Sequence, residues 1–331
     1  MSVVIRATGS YLPEARLTNA DLEQIVDTSD EWIVARTGIR ERRVLAADKA
    51  TSDMATRAGE AALEAAGVPA EDLDLIVVAC VTPDMATPSA ANLVQRNLCR
   101  GRSTPSFDLN AACSGFVYGL AVTKAMMEAS GYERVLLVGA ETITRITDYE
   151  DRETCVLFGD AAGAVVLERS DGPGGVLATT LCSDGQHWDL IQLPGGGSRR
   201  PASADMLAQR EQYVRMKGRA VFKLAVQSME QVALDTLAKV GWTVDDVALV
   251  LCHQANRRII DAVAERLGVG PDRLPINIDR VGNTSSASIP VLLDECNSQG
   301  RIAPGDKLLL MAFGAGLTWA AAAIEWVAGA G

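Results

Sequence analysis

The stretch Gly67-Val-Pro-Ala-Glu-Asp-Leu-Asp-Leu-Ile-Val-Val-Ala-Cys80 predicts a helix-ending glycine, an acidic turn and a short buried strand. The same order of features recurs in Gly241-Trp-Thr-Val-Asp-Asp-Val-Ala-Leu-Val-Leu-Cys252. Further along the chain, a charged pair leads into an apolar strand at residues 133–139 and again at residues 306–312. The spacing from the glycine to this later strand agrees in the two copies to within one residue. The chain therefore contains two copies of one α/β unit.

An amphipathic helix precedes the first strand of each copy, and helices alternate with strands in both. The apolar positions of these two helices are Met54, Ala58, Ala61, Ala62 and Ala65 in the first copy and Val221, Leu224, Ala225, Met229 and Val232 in the second. Such alternation is typical of predominantly parallel sheets covered by helices. We therefore predict an α/β protein with a layered fold of two pseudo-twofold-related α/β halves.

Glycine-rich stretches indicate where the two halves divide. Gly172-Pro-Gly-Gly175 is the expected boundary, which gives a first half of residues 1–171 and a second half of residues 172–331. Gly195-Gly-Gly197 begins a second stretch, up to Gln212, that we expect to form a mobile insertion or lid.

The composition argues against several classes of function. The chain has 331 residues, 48% of them hydrophobic, and we find no stretch typical of a membrane span or a secretory signal. We therefore expect a cytoplasmic protein with no membrane association. Seven cysteines without a C-x-x-C pair, and only two histidines, argue against a disulfide framework and a metal site. A net charge of −11 argues against a nucleic-acid partner.

Basic residues are concentrated in one part of this acidic chain. Residues 199–223 contain seven arginines and lysines against two acidic residues, Asp205 and Glu211, and three further arginines follow at positions 257, 258 and 266. A basic face on an acidic protein predicts an acidic partner. The alternative is that some of these charges lie on solvated helix faces.

A candidate nucleophile lies in Asn110-Ala-Ala-Cys113-Ser-Gly-Phe116, where an apolar run gives way to small residues and then to a helical pattern. Cys113 is therefore expected at a helix start, where unpaired N–H groups and the helix dipole stabilise a thiolate. The alternative is a small buried hydrophobic residue.

The repeat predicts which polar residues meet Cys113. The loop after the first strand of the second copy carries His253, and the strand and turn before Cys113 correspond to Ile276–Asn283. Loops at equivalent strand ends converge when two such halves pack together, so Cys113, His253 and Asn283 are expected in one crevice. Taken singly, His253 is more often a structural histidine and Asn283 a turn residue.

Six motifs carry a resemblance to a known family. They are Glu31–Arg42, Asn110–Phe116, Phe158–Gly163, His253–Asn256, Gly282–Ser288 and Phe313–Trp319. In these motifs, over essentially its whole length, the chain resembles β-ketoacyl-acyl carrier protein synthase III, a family of thiolase-fold condensing enzymes.

The resemblance implies an enzyme that starts fatty acid synthesis in two steps. Cys113 takes an acyl group, acetyl or longer, from acyl-CoA and then condenses it with malonyl-acyl carrier protein, with loss of carbon dioxide. His253 and Asn283 stabilise the enolate, and the backbone N–H groups of Cys113 and Ala315 form a second oxyanion hole. The resemblance also implies a homodimer and no permanently bound cofactor.

The resemblance also implies positions that bind the substrates. Trp32 and Arg152 would enclose the adenine of CoA, with Arg36 near its phosphates, because an indole and a guanidinium can sandwich a base. Three further positions, Gly218, Phe222 and Asn256, would line the pantetheine tunnel. Lys223 and Arg258 would receive the acidic carrier protein.

One position bears on the length of the acyl group. Thr87 matches a family position that closes the far end of the acyl pocket across the dimer, where short-chain members commonly have phenylalanine. We therefore predict acceptance of primers that are longer than acetyl or branched. The alternative is that Leu157 or Leu207 fills the space.

Other functions on the same fold are less well supported. A thiolase needs a second reactive cysteine late in the chain, where only Cys296 follows Asn283. A hydroxymethylglutaryl-CoA synthase would use an acidic residue in the run before the nucleophile, and residues 75–112 contain only Asp84 and Asp108, with no glutamate. A non-catalytic binding subunit is disfavoured by the intact set of polar residues. A related acyltransferase or condensing enzyme of a specialised-metabolite (polyketide) pathway remains the alternative.

Overall fold

The computed structural model describes residues 2–327. Its strands are β1 (Ser2–Tyr11), β2 (Arg16–Thr18), β3 (Glu41–Arg43), β4 (Leu75–Ala79), β5 (Ser106–Leu109), β6 (Arg134–Thr142), β7 (Asp160–Ser170), β8 (Gly175–Ser183), β9 (Ile191–Gln192), β10 (Arg215–Met216), β11 (Leu249–Cys252), β12 (Lys307–Gly314) and β13 (Thr318–Glu325).

The α-helices are α1 (Asn19–Leu22), α2 (Asp30–Thr37), α3 (Thr51–Ala66), α4 (Ala90–Leu98), α5 (Gly115–Ser130), α6 (Ala204–Ala208), α7 (Gly218–Lys239), α8 (Arg257–Leu267), α9 (Ile278–Val281) and α10 (Ser288–Ser298). Short 3₁₀ helices lie at Ala70–Asp72, Ala112–Ser114, Ile143–Ile146, Gly185–Leu190, Val244–Asp246, Pro271–Arg273 and Ser285–Ala287.

Two sheets and three layers of helices form the body of the protein. The first sheet has the order β1-β7-β6-β4-β5 and the second has the order β11-β12-β13-β8. Helices α5 and α10 lie between the sheets and contact both, while α3 and α4 cover the outside of the first sheet. Helix α7 covers the outside of the second sheet and packs against α8. The predicted layered α/β fold is therefore confirmed.

The two copies of the repeat form equivalent structures. Gly67 and Gly241 have left-handed φ values of 63° and 69° and follow α3 and α7, because a residue with a side chain is strained in that conformation. The strands that follow are equivalent in register as well, since β4 pairs in parallel with β6 and β11 pairs in parallel with β12.

The prediction of predominantly parallel sheets is wrong. The parallel pairs are β4 with β5, β4 with β6, and β11 with β12, whereas β1, β7, β8 and β13 pair antiparallel to their neighbours. The turn between β12 and β13 spans only residues 315–317, and a parallel return needs a crossover of a dozen or more residues.

The predicted counterpart of β5 in the second half is also wrong. Residues 274–277 form no strand, and α9 follows them. The side chain of Gln254 replaces the missing strand pairing, because its Oε1 accepts the N–H groups of Asn277 at 3.1 Å and Ile278 at 3.2 Å. The chain passes from the first sheet to the second between Ser170 and Gly175. The division at residue 171 stays a prediction.

Helix α10 lies unusually close to the first sheet. A Cβ atom on Gly163 of β7 would lie 2.6 Å from the backbone nitrogen of Val291, and one on Gly139 of β6 would lie 2.4 Å from the carbonyl oxygen of Ser286. Both strands therefore require glycine at these positions, since no side chain fits between the sheet and the backbone of α10 and of the 3₁₀ helix that precedes it.

We predict that Gly163→Ala destabilises the protein by about 1–3 kcal/mol, because the added methyl group overpacks the contact with α10. Thermal unfolding measures the change. Gly185→Ala is the matched control, since a Cβ there meets nothing within 4 Å, and it should leave the unfolding temperature unchanged. Equal stability of the two variants would contradict the close approach.

Candidate active site

Cys113 lies on a tight turn between β5 and α5. Ala112 has a positive φ of 48°, an uncommon conformation for a residue with a side chain, and the 16-residue helix α5 begins two residues after Cys113. The hydroxyl of Thr318 fixes the turn, since it lies 2.9 Å from the carbonyl oxygen of Ala111 and 3.0 Å from that of Ala315. The predicted position of Cys113 at a helix start is confirmed.

The end of strand β12 lies against the turn that carries Cys113. A Cβ on Gly314 would lie 2.7 Å from the backbone nitrogen of Cys113, so only glycine permits this approach. Ala315, the predicted oxyanion-hole residue, is the next residue in the chain and is half-buried.

His253 lies at the end of β11, beside β12. Its backbone N–H donates to the carbonyl of Met311 at 2.8 Å, and its side chain is buried. The next residue, Gln254, fixes the loop, because its N–H donates to the hydroxyl of Ser288 at 2.7 Å. Burial lowers the pKa of His253 to about 3, so its imidazole is neutral at physiological pH. Its Nδ1 has no hydrogen-bond partner within the described part of the chain.

Asn283 is held by backbone hydrogen bonds on both sides. Its N–H donates to the carbonyl of Leu157 at 2.8 Å, and its carbonyl accepts the N–H of Gly159 at 3.0 Å. Its side-chain Oδ1 accepts the N–H of Ser285 at 2.9 Å, which leaves the amide NH₂ as the donor for a ligand.

The turn that follows Asn283 mirrors the turn that carries Cys113. Ser285 has a positive φ of 50°, as Ala112 has 48°, and each precedes a helix of the middle layer. The two turns contact each other, and the side chain of Ser285 lies close enough to Cys113 to lower the pKa of its thiol. The three loops are thus connected. Gly314 lies against Cys113, Ser288 binds the loop of His253, and Ser285 binds Asn283.

The buried carboxylate of Glu141 lies near Cys113 and was not predicted from the sequence. Oε2 of Glu141 accepts the N–H groups of Val81 and Thr82 at 3.0 and 3.2 Å and the Thr82 hydroxyl at 2.6 Å. Its Oε1 accepts the hydroxyls of Ser285 and Ser286, both at 3.0 Å. Burial raises the pKa of Glu141, and these hydrogen bonds oppose the shift. The available signal was a single acidic residue in the otherwise apolar strand β6.

Desolvation opposes ionisation of Cys113. Desolvation raises the pKa of the Cys113 thiol to about 11, the side chain of Ser285 lowers it, and the nearby charge of Glu141 raises it. The position at a helix start, from which the sequence predicts a stabilised thiolate, acts in the opposite direction. The surroundings therefore hold Cys113 as a thiol until it reacts.

The residues predicted to bind adenine and phosphate lie together. The guanidinium of Arg152 lies 4.3 Å from the ring centroid of Trp32, and that of Arg36 lies 5.3 Å from the same ring. Arg152 Nε is buried without a hydrogen-bond partner in the described structure, so the side chain is held mainly by stacking.

The residues predicted for the pantetheine tunnel lie beside this pair. Asn256 caps α8 by accepting the N–H of Arg258 at 2.9 Å, and its Nδ2 donates to the carbonyl of Arg36 at 3.1 Å. Gly218 begins α7, and Phe222 follows one turn later. The guanidinium of Arg258 lies 6.0 Å from the Phe222 ring.

Much of the predicted basic face is neutralised within the chain. Arg200 pairs with Asp205 and Glu211, and Arg210 pairs with Asp148 and Glu150. Further pairs join Lys217 to Asp189, Arg257 to Asp261 and Arg266 to Glu230. Lys223 and Arg258 are exposed, and neither enters an ion pair among residues 2–327.

Thr87 lies on an exposed loop between β4 and α4. Of the two residues considered as fillers of the pocket, Leu157 is buried and Leu207 is 54% exposed. The described residues include no cluster of three or more histidine, cysteine or acidic side chains suited to a metal ion. No helix within residues 2–327 is both long and apolar enough to cross a bilayer.

Comparison with known proteins gives consistent matches. The family profile described as 3-oxoacyl-[acyl-carrier-protein (ACP)] synthase III matches residues 107–185, and the profile of its C-terminal part matches residues 237–326. The chain is 48% identical over 322 residues to a β-ketoacyl-[acyl-carrier-protein] synthase III of Caldanaerobacter subterraneus subsp. tengcongensis, and the match covers 97% of each chain.

Solved structures give the same result. The crystal structure of 3-oxoacyl-[acyl-carrier-protein] synthase III from Aquifex aeolicus VF5 matches with a TM-score of 0.91 and 44% identity, over 98% of this chain and 100% of that one. The priming β-ketosynthase of the R1128 polyketide pathway also has a TM-score of 0.91, over 99% of this chain and 97% of that one, but is 34% identical.

Two sheets around paired central helices, with cysteine, histidine and asparagine loops converging between the halves, define a thiolase-fold condensing enzyme. Within that class, the chain belongs to the β-ketoacyl-[acyl-carrier-protein] synthase III family of condensing acyltransferases. The lower identity of the polyketide enzyme favours this assignment over the specialised-metabolite alternative.

We predict that Cys113 titrates above the ordinary cysteine pKa of about 8.5, because burial and Glu141 disfavour its thiolate. Alkylation by iodoacetamide across pH, read by peptide mass spectrometry, gives the midpoint. Glu141→Gln should lower the midpoint by removing a negative charge, and Ser285→Ala should raise it by removing the polar side chain that lowers the Cys113 pKa.

Glu60→Gln on the exposed face of α3 is the control for loss of a distant charge and should leave the midpoint unchanged. A wild-type midpoint well below 8 would show that the helix start outweighs burial.

Proposed function

We propose that this chain is the condensing enzyme that starts fatty acid synthesis, with Cys113 as its nucleophile. The observation that carries the proposal is Cys113 on the turn into α5, facing the loops of His253 and Asn283, in a member of this family. In the first half-reaction, Cys113 Sγ attacks the carbonyl of an acyl-CoA. A new thioester forms, and CoA leaves with the thiol proton.

In the second half-reaction, malonyl-acyl carrier protein binds where CoA has left. Its carboxylate departs as carbon dioxide, and the electron pair moves onto the thioester oxygen as an enolate. Neutral His253 and the Asn283 amide donate hydrogen bonds to that oxygen. The α-carbon then attacks the acyl group, forms the carbon–carbon bond and releases Cys113 as its thiolate, while the N–H groups of Cys113 and Ala315 stabilise the oxyanion.

The half-buried stack of Trp32 and Arg152 supports a CoA site. Adenine would take the place of the guanidinium on the Trp32 ring, with Arg152 moving to its other face, and Arg36 would approach the phosphates. The pantetheine arm would then run past Gly218, Phe222 and Asn256 toward Cys113. No permanently bound cofactor takes part in either half-reaction.

Lys223 and Arg258 are proposed to receive the acidic carrier protein. Both are exposed beside the tunnel residues and unpaired with carboxylates in the described chain, so their charge remains available. We further propose a cytoplasmic homodimer in which Thr87 of one subunit closes the acyl pocket of the other.

We predict that Cys113→Ser loses both acylation and condensation, because a hydroxyl has no comparable route to its anion. Intact mass after mixing with acetyl-CoA detects the acyl adduct. Cys182→Ser, which changes the other half-exposed cysteine, is the control and should still acylate. An adduct on the Cys113→Ser protein would overturn the assignment of the nucleophile.

We predict that His253→Ala and Asn283→Ala still acylate at Cys113 but decarboxylate malonyl-acyl carrier protein about 10²–10³-fold more slowly, because each removes an oxyanion donor. Release of labelled carbon dioxide measures this step. Asn297→Ala, on the distant end of α10, should not change it. Unchanged decarboxylation in both site variants would show that they act elsewhere.

We predict that the wild type accepts acyl groups longer than acetyl or branched, since threonine leaves space and each buried methylene contributes about 0.8 kcal/mol. Specificity constants for acetyl-, butyryl-, octanoyl- and dodecanoyl-CoA test this, and Thr87→Phe should shift the preference toward acetyl. Strict acetyl preference that Thr87→Phe does not change would contradict the deeper pocket.

A further inference from the structure

Arg42, on the short strand β3, is the largest side chain that is fully buried in the described structure. Burial lowers its pKa to about 10, so the guanidinium is still charged at neutral pH. No ion pair among residues 2–327 includes Arg42. An uncompensated buried charge destabilises a protein by about 3–5 kcal/mol, so neutral acceptors must compensate the charge of Arg42. A role in stability alone does not explain why an arginine occupies this position.

The guanidinium is bound by two neutral oxygens. Its Nε and Nη2 donate to the carbonyl of Val156 at 3.2 and 2.6 Å, and its Nη1 donates to Oδ1 of Asn19 at 2.5 Å. Both N–H groups on one carbonyl fix the direction of that peptide group more firmly than a single donor would.

The segment that Arg42 binds, residues 156–159, also binds the backbone of Asn283. Leu157 follows Val156, and its carbonyl accepts the N–H of Asn283, while Gly159 donates to the carbonyl of Asn283. The aliphatic part of the Arg42 side chain packs against Gly159 and Gly282, on either side of this contact. A Cβ on Gly159 would lie 3.3 Å from Arg42 Cβ, and one on Gly282 would lie 3.0 Å from Arg42 Cγ.

We infer that Arg42 is a positioning residue for Asn283, acting through the backbone of Val156, Leu157 and Gly159. The inference rests on the proposed role of Asn283 in decarboxylation. No hydrogen bond in the described structure joins Arg42 to the turn that carries Cys113. That turn contacts Thr318 and Ser285 instead. Loss of its guanidinium should therefore affect decarboxylation and spare acylation of Cys113.

The test is a double-mutant cycle with Arg42→Met, Asn283→Ala and the double variant. Arg42→Met should slow decarboxylation of malonyl-acyl carrier protein about 10–100-fold, since misplacing a catalytic group by about 1 Å costs up to 10²-fold. Acylation of Cys113 and the KM for malonyl-acyl carrier protein should change by less than about threefold. In the Asn283→Ala background, Arg42→Met should have no further effect, because the group that it positions is gone.

Arg43→Met is the matched control, since Arg43 is the next residue of β3, is largely buried and binds Pro13 instead. It should leave both half-reactions unchanged. If Arg42→Met does not fold, Arg42→Lys carries the same cycle, because lysine keeps the charge and the apolar stem but lacks the planar pair of donors.

Each result gives a decision. Equal loss of acylation and decarboxylation, or a full additional loss in the Asn283→Ala background, would mean that Arg42 supports the structure generally and would overturn the inference. Full decarboxylation by the Arg42 variant, with Asn283→Ala inactive, would overturn the inference about Arg42 and leave the proposed role of Asn283 intact. Full decarboxylation by Asn283→Ala would overturn the proposed role of Asn283 and the inference with it.

Discussion

The hydrogen bonds to the buried carboxylate of Glu141 are the constraint on which the site depends. Five donors from the loop after β4 and from the turn before α10 converge on its two oxygens. This network joins the loop after β4 to the turn before α10. It includes Ser285, whose turn contacts the turn that carries Cys113. A buried carboxylate with fewer donors would be costly, so the network favours this one arrangement of the two turns.

Burial also determines whether the side chains of Cys113 and His253 are charged. It raises the pKa of the Cys113 thiol and lowers that of His253, so both groups are uncharged in the free site at neutral pH. A neutral histidine suits a step in which negative charge develops on a thioester oxygen, because an uncharged donor stabilises that charge without being titrated beforehand. The ordering of Asn283 by Leu157 and Gly159 serves the same end, since a donor held in place loses little freedom when the charge develops.

The internal repeat predicted more of the structure than any single motif did. Periodicity and glycine spacing were sufficient for the equivalence of β4 with β11 and of β6 with β12, and the position of Cys113 followed from small residues before a helical pattern. Strand direction was predicted wrongly because it depends on connections such as the three-residue turn at 315–317. Glu141 and Arg42 were missed because their partners are distant in sequence. A single acidic residue in β6 does not reveal which donors will surround it, and nothing in Glu41-Arg42-Arg43 shows that the middle side chain is the buried one.

Release of CoA by single mixing tests the central claim, that Cys113 holds the acyl group between two separate half-reactions. The protein is mixed with acyl-CoA in the absence of malonyl-acyl carrier protein, the reaction is stopped by rapid quenching, and the amount of free CoA is measured. The account predicts a burst of one CoA per chain, then no turnover until malonyl-acyl carrier protein is added, when 3-oxoacyl-acyl carrier protein and carbon dioxide form together. CoA release that requires both substrates at once, or a burst that persists in Cys113→Ser, would contradict it.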